Sequence, residues 1–422
     1  MNPPRPLGTS GGSIVDLREH NLSQVLLVLA AESPLSRSKI AARTGLGITA
    51  MTKLIAELRD RQLVIEVSDT NPAAMGRPTN LIALARHHWA TASLSLDNGT
   101  IHASIGGIDG KHSTAFSVPT PMSLEIDEYI EYVGIALNQI AAECRSSGHE
   151  LLAVEASVPG AVNSSSGVMM RSILNGWSRP YPLRQELLNL LSHIEGGVSP
   201  SILVGIDRAT NYSLLSRIRD LELPGEIDSV AHLGGLYAVS GGIYSRSALE
   251  HGSTGLAGEF GHFVIDPAGA QCWCGRRGCV ETRIGLACLY ARCSGSGITE
   301  AELVPQLAQR HEKMVGELLA RARAGEQVVL RELDRAGYWL GITVDTIAAV
   351  VNPRTLIIDG YLAALQEFLR PEMGKQLASI GALPSIAELG IIFAGDPFAP
   401  VNNGMHIAAG RAVAQHPAAA AH

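Results

Sequence analysis

Four side chains of metal-binding type fall within eighteen residues: His262, Cys272, Cys274 and Cys279, spaced H-x9-C-x-C-x4-C. Any fold for this chain has to accommodate them. Tetrahedral zinc accepts three thiolates and one imidazole without asking redox chemistry of them, and Gly275 and Gly278 let the backbone turn tightly around an ion. Cys144, Cys288 and Cys293 show no such spacing. The opening MNPPRPLGTSGGS lacks a basic region followed by an apolar stretch, so no export signal is read and metal ligation is expected rather than disulfides. An iron–sulfur cluster is disfavoured because four cysteines at a usual cluster spacing are absent. The expected cofactor is one structural Zn2+ with no open coordination position.

At 422 residues the chain exceeds one compact core, so two or three domains are expected. With 46% apolar residues it can bury substantial cores, and it has no run of about 18 uninterrupted apolar residues to cross a membrane. A cytoplasmic location is expected. Residues 1–12, rich in Pro, Gly and Ser, and the tail 415–422 (QHPAAAAH) read as disordered.

Between those ends the chain changes character near Arg86. Ser13, with Asp16 three residues on, can cap a helix whose Leu22, Val25, Leu26 and Leu29 make one apolar stripe ending near Glu32. Ser36 can cap RSKIAART, which Gly45 closes. A third helix runs from Ile48 to about Arg61 with Met51, Leu54, Ile55 and Leu58 at core spacing. Two short apolar runs follow at 63–67 and 81–85 around the polar loop SDTNPAAMGRPTN. This is the order of a winged helix-turn-helix over residues 13–86. From about His88, β-like runs such as ATASLSL, LLAVEASVP and SILVGID alternate with helical stretches, the pattern of an α/β fold over 87–414.

The net charge of −7 divides unevenly at the same boundary. Residues 1–86 hold 10 Lys/Arg against 7 Asp/Glu, and the remainder holds 23 against 33, so the front end is the part suited to a polyanion. In a helix-turn-helix the second helix enters the major groove and its N-terminal residues reach base edges. Here those are Thr49, Ala50 and Lys53, opposite Met51 and Leu54. In the wing loop, Arg77 within Gly76-Arg77-Pro78 has the form of a minor-groove contact. The bland alternative is a three-helix module that binds protein or caps a domain.

The stretch HNLSQVLLVLAAESPLSRSKIAARTGLGITAMTKLIAELRDRQLVIEV followed by GRP resembles the N-terminal module of ROK-family repressors. GEFGHFVIDPAGAQCWCGRRGCVE, residues 258–281, resembles the zinc-containing signature of the ROK family, its sugar kinases included. The resemblance implies a two-lobed actin/hexokinase-like α/β domain behind the winged helix-turn-helix, acting as a homodimer or tetramer. It also implies that Glu259, His262 and Glu281 grip sugar hydroxyls, with Asp207 standing where ROK kinases carry the catalytic Asp. Alternatively, Asp207 caps the helix that follows it. The family's sugar-contacting Asn falls at Ile173 without a gap and at Asn175 with one.

Phosphoryl transfer in such a fold depends on glycine turns that let backbone N–H groups approach phosphates. The first turn survives only partly as LDNGT (96–100), and in the second Leu236, Tyr237 and Ala238 stand where the family has Gly, Thr and Gly. In IIDGYL, Asp359 stands where Gly is common. The expectation is therefore a transcriptional regulator, by preference a repressor, which binds operator DNA, responds to a sugar and catalyses nothing. An active kinase with a DNA-binding arm and a regulator controlled by a protein partner are the alternatives.

Overall fold

The computed structural model describes residues 14–68, 80–221, 229–236, 238–295, 297–380, 384–394 and 401–420. The chain opens with helix α1 (Ile14–Glu32), then β1 (Leu35–Ser36), α2 (Arg37–Thr44), α3 (Ile48–Asp60), β2 (Val64–Ser68) and β3 (Asn80–Leu84). The Ser36 hydroxyl accepts from the Lys39 amide at 3.3 Å, satisfying one of the unpaired donors at the start of α2. Gly45 ends that helix in the left-handed region, at φ +70°. The strands order as β1-β3-β2 with β2 and β3 antiparallel. Leu22, Val25, Leu26 and Leu29 of α1 meet Met51, Leu54, Ile55 and Leu58 of α3 in one buried cluster, so the spacing of both apolar stripes becomes a core. Residues 1–12, the Ser13 cap and the Gly76-Arg77-Pro78 tripeptide lie outside the described residues.

Two five-stranded sheets follow, and they share one topology. The first contains β4 (Trp89–Asp97), β5 (Thr100–Gly107), β6 (His112–Pro119), β7 (Glu150–Val158) and, after the small hairpin β8 (Ala161–Asn163) and β9 (Val168–Arg171), β10 (Val198–Arg208). Its order is β10-β7-β4-β5-β6, with an antiparallel meander of β4 to β6 and with β7 and β10 parallel to β4. The second contains β11 (Ser229–Gly234), β12 (Ser240–Ser245), β13 (Ala248–Leu249), β14 (Thr355–Ile358) and β15 (Gly390–Phe393). Its order, β13-β12-β11-β14-β15, repeats the same meander and parallel pair. The two halves make two lobes.

Helices α4 (Ile126–Ser146) and α5 (Leu183–Ser192) belong to the first lobe, and α6 (Ala209–Asp220) leads from β10 to β11. The second lobe holds α7 (Val280–Ile284), α8 (Leu286–Ser294), α9 (Glu300–Leu303), α10 (Leu307–Arg323), α11 (Gln327–Val351), α12 (Gly360–Ala364), α13 (Gln366–Ile380) and α14 (Pro384–Ala387). Helix α15 (Val401–Gln415) then returns to pack on α6, on the first sheet and on α1. Its crossing with α6 is close: a Cβ on Gly404 would lie 1.8 Å from the Tyr212 carbonyl oxygen. His406 fastens α15 to the sheet, pairing Nδ1 with Thr91 Oγ1 (2.8 Å) and Nε2 with Ser104 Oγ (2.9 Å). Burial pushes its pKa down to about 3, so it packs as a neutral ring.

One expectation is corrected at the end of the chain. The tail read as disordered from Gln415 is ordered as far as Ala420, forming a short 3-10 turn (Pro417–Ala420) with Pro417 and Ala420 buried. Alanine gives up no side-chain entropy on burial, and Ala420 joins the cluster that α1 and α15 share. Among the described residues no helix is long and apolar enough to cross a membrane.

Candidate functional site

The loop after β13 doubles back as its glycines suggest. A 3-10 turn (Phe260–His262) delivers His262, isolated bridges pair Val264 with Cys279 and Gln271 with Arg277, and α7 starts directly after Cys279. Gly278, at φ +68°, cannot be replaced cheaply: a Cβ there would meet the Asp266 carbonyl oxygen at 1.5 Å. The turn brings one ligand atom from each of His262, Cys272, Cys274 and Cys279 within 4.8 Å of one another. Cys274 Sγ lies 3.6 Å from Cys279 Sγ, and Cys272 Sγ lies 3.8 Å from His262 Nδ1. Zn–S bonds of about 2.3 Å at tetrahedral angles require S···S separations of roughly 3.8 Å, so the donor set fits such an ion. Burial raises the Cys272 and Cys279 thiols and lowers His262, which keeps the imidazole neutral and able to ligate.

The carboxylates expected to hold a sugar come from opposite lobes. Asp207 ends β10 in the first lobe, Glu259 precedes the 3-10 turn in the second, and Glu281 lies in the first turn of α7. Glu281 accepts from the Val239 amide at 2.6 Å, and its burial pushes its pKa up to about 8. Glu259 is near enough to influence the titration of both His262 and Glu281. Asp207 does not cap α6, whose N-cap is Arg208; its Oδ1 accepts from the Arg208 amide (2.7 Å) and from Asn211 Nδ2 (2.8 Å). Asn175, the shifted candidate, is buried and donates to the Leu96 carbonyl at 2.8 Å.

Two side chains that sequence reasoning did not single out are bonded to these carboxylates. Arg208, 2% exposed, donates to Glu259 Oε1 and to the Ala257 carbonyl, each at 2.5 Å. His251, just after β13, meets Asp207 Oδ2 at 2.7 Å, and that hydrogen bond raises its pKa. A cation next to Asp207 and a histidine eight residues before Glu259 carry no distinctive spacing, so only the folded chain reveals the pairing.

The glycine turns of a phosphate site are occupied differently. At the LDNGT turn Gln309 of α10 donates to the Asn98 carbonyl at 2.6 Å, and a Cβ on Gly99 would meet Met122 Sδ at 2.6 Å. Leu236 and Ala238 are half-buried, and Tyr237 lies outside the described residues. Asp359 is buried against Arg217 (2.8 and 2.9 Å) and His232 (3.1 Å). Burial alone would raise its pKa, but the bonds from His232 and Arg217 outweigh that and hold it at about 2.

In the N-terminal part, Thr49, Ala50 and Lys53 are exposed on α3 while Met51 and Leu54 are buried beneath them. The C-terminal end of α3 is tied to the first sheet, because Trp89 Nε1 donates to the Arg61 carbonyl at 2.9 Å.

A profile of the ROK family matches residues 238–385. The glucokinase of Halalkalibacterium halodurans is 28% identical over 258 residues, which is 59% of this chain and 74% of that protein. The DNA-binding transcriptional dual regulator NagC of Escherichia coli K12 is 23% identical over 371 residues, 85% of each chain. A solved ROK family transcriptional regulator, described as a homologue of the Escherichia coli Mlc protein, superposes with a TM-score of 0.76 and 17% identity over 94% of this chain and 97% of that one, a likeness of fold.

Proposed function

The chain carries a ROK family domain, and from that premise we propose that it is a DNA-binding transcriptional regulator whose two lobes sense a sugar or sugar derivative and catalyse nothing. The observation that carries the reading is α3, with Met51, Leu54, Ile55 and Leu58 buried and Thr49, Ala50 and Lys53 exposed at its opposite, N-terminal face. That is the arrangement a recognition helix needs in order to lie in the major groove with its first residues on base edges. The match to NagC spans 371 residues of this 422-residue chain and therefore reaches into residues 13–86, whereas the glucokinase match spans 258. Both features support reading residues 13–86 as a winged helix-turn-helix, and Arg77 is the residue of that stretch proposed to enter the minor groove.

His262, Cys272, Cys274 and Cys279 would hold one zinc, whose chemistry is structural: it fixes the loop that also carries Glu259. Asp207, Glu259, His262 and Glu281 form the effector site. The absence of kinase activity is supported by Gln309 over the Asn98 turn and by the Arg217–Asp359–His232 cluster at the second lobe's strand ends. An effector that changes the set of the lobes would move α6, α15 packs on α6, and α1 packs on α15. That contact sequence is the route by which a sugar event reaches DNA, and in a homodimer it alters the spacing of two half-sites. The protein works in the cytoplasm, where its operator is. The test is a coupled ATP turnover assay with a sugar panel beside sugar-dependent release of operator DNA. Release without turnover is expected, and turnover at about 1 per second or faster would establish a kinase instead.

A further inference from the structure

Two reciprocal charge pairs join the lobes at the proposed effector site. The first lobe supplies an acid and a base in consecutive positions, Asp207 and Arg208, at the end of β10. The second supplies a base and an acid, His251 and Glu259. Each acid meets the other lobe's base, at 2.7 Å for Asp207 with His251 and 2.5 Å for Glu259 with Arg208. The carboxylates that would grip ligand hydroxyls are thus already engaged by the protein's own cations.

The Arg208–Glu259 pair is asymmetric. Arg208 has 2% of its side chain exposed and Glu259 has 28%, so Glu259 can turn to water or to a ligand while Arg208 stays where it is. A buried guanidinium that loses its counter-ion is far more costly than one whose counter-ion is replaced. Arg208 also retains a buried Nε donor with no acceptor among the described residues. A neutral sugar that drew Glu259 away would leave Arg208 its bonds to the Ala257 carbonyl and Asn211 Oδ1 but take away the carboxylate that faces it. An anionic sugar would put its own anion in that place.

We propose that the effector is an acidic sugar, whose hydroxyls engage Asp207 and Glu259 and whose anionic group, a carboxylate or a phosphate ester, takes over the Arg208 guanidinium. The inference rests on the sugar-sensing reading above and narrows it to one chemical class. Arg208 is then the specificity-determining residue, since a planar guanidinium binds carboxylate and phosphate through paired, parallel hydrogen bonds.

The experiment is calorimetric titration of the intact, zinc-loaded protein at fixed ionic strength with matched sets: D-glucose against D-glucuronate, D-gluconate and D-glucose 6-phosphate, and the same sets in the galacto and N-acetylglucosamine series. In at least one series an acidic member should bind tenfold or more tighter than its neutral partner, and the uronate and phosphate arms identify which anion is read. The double variant Arg208→Gln/Glu259→Gln leaves no unpaired charge at the site, so it should fold and should lose the preference. Neutral sugars binding as tightly as their acidic partners, or a preference that survives in the double variant, would overturn the proposal while leaving sugar sensing intact. Binding of no member of either class would overturn both.

Discussion

Replacing Asp359 by Asn preserves the volume of a side chain that is 4% exposed while removing the charge that faces Arg217 and His232, themselves 6% and 1% exposed. Two lines of reasoning set the magnitude. The carboxyl is held at about 2 rather than 3.8 in the folded chain, and a displacement of that size corresponds to about 2.5 kcal/mol of stability. Removing one partner of a buried ion pair costs roughly 3 to 5 kcal/mol, because the other charge is left uncompensated. Asp359→Asn should therefore destabilise the second lobe by about 3 kcal/mol at neutral pH. Because the folded pKa is depressed, the contribution is complete above the unfolded value of 3.8 and disappears as pH falls toward 2. Urea unfolding followed by tryptophan fluorescence at pH 7 and pH 3 measures both effects, with the gap between wild type and variant narrowing by about 1 kcal/mol at the lower pH. A cost under about 1 kcal/mol at pH 7, or a gap that persists undiminished in acid, would refute the assignment of a charged cluster. Asp359→Gly, which restores the glycine usual in the kinases, should lose stability without gaining ATP turnover.

Metal analysis should find one zinc per chain, lost on Cys274→Ser together with a large fall in melting temperature, since structural zinc binding of roughly 10 to 16 kcal/mol is comparable to the stability of a whole domain. Well under one equivalent in the wild type, unchanged in the variant, would exclude the site. His251 has a raised pKa through its bond to Asp207, with Arg208 and Glu250 also acting on it, so its contribution is complete below the usual 6.5 and fades as pH rises through the folded value. The melting temperature should fall between pH 6 and pH 8 by a margin that His251→Gln removes; an identical pH profile in the variant would mean that His251 does not pair with Asp207.

Much of the N-terminal architecture was legible because its signals are local. Ser36, Gly45 and the 3.6-residue spacing of Met51, Leu54, Ile55 and Leu58 act within one or two turns, and α2 and α3 begin where those residues place them. The ligand cluster was legible for the same reason, its four members lying between His262 and Cys279. The rest depends on distant partners. Asp359 reads in sequence as a lost glycine, and its pairing with Arg217 spans 142 positions. Arg208 beside Asp207 carries no distinctive spacing, and its burial and its bond to Glu259, 51 positions away, are visible only in the folded chain. Composition misled at the tail, where an alanine run that resembles a flexible end is small enough to close the cluster between α1 and α15.

The measurement closest to the central claim is the affinity of the intact chain for a DNA fragment selected by it from genomic DNA, followed by fluorescence anisotropy across a salt series. Tight binding that falls log-linearly with salt is predicted, with Lys53→Ala weakening it and lowering the slope by about one if Lys53 meets a phosphate. Binding no tighter than to a shuffled sequence of the same length, at every salt concentration, would contradict the account.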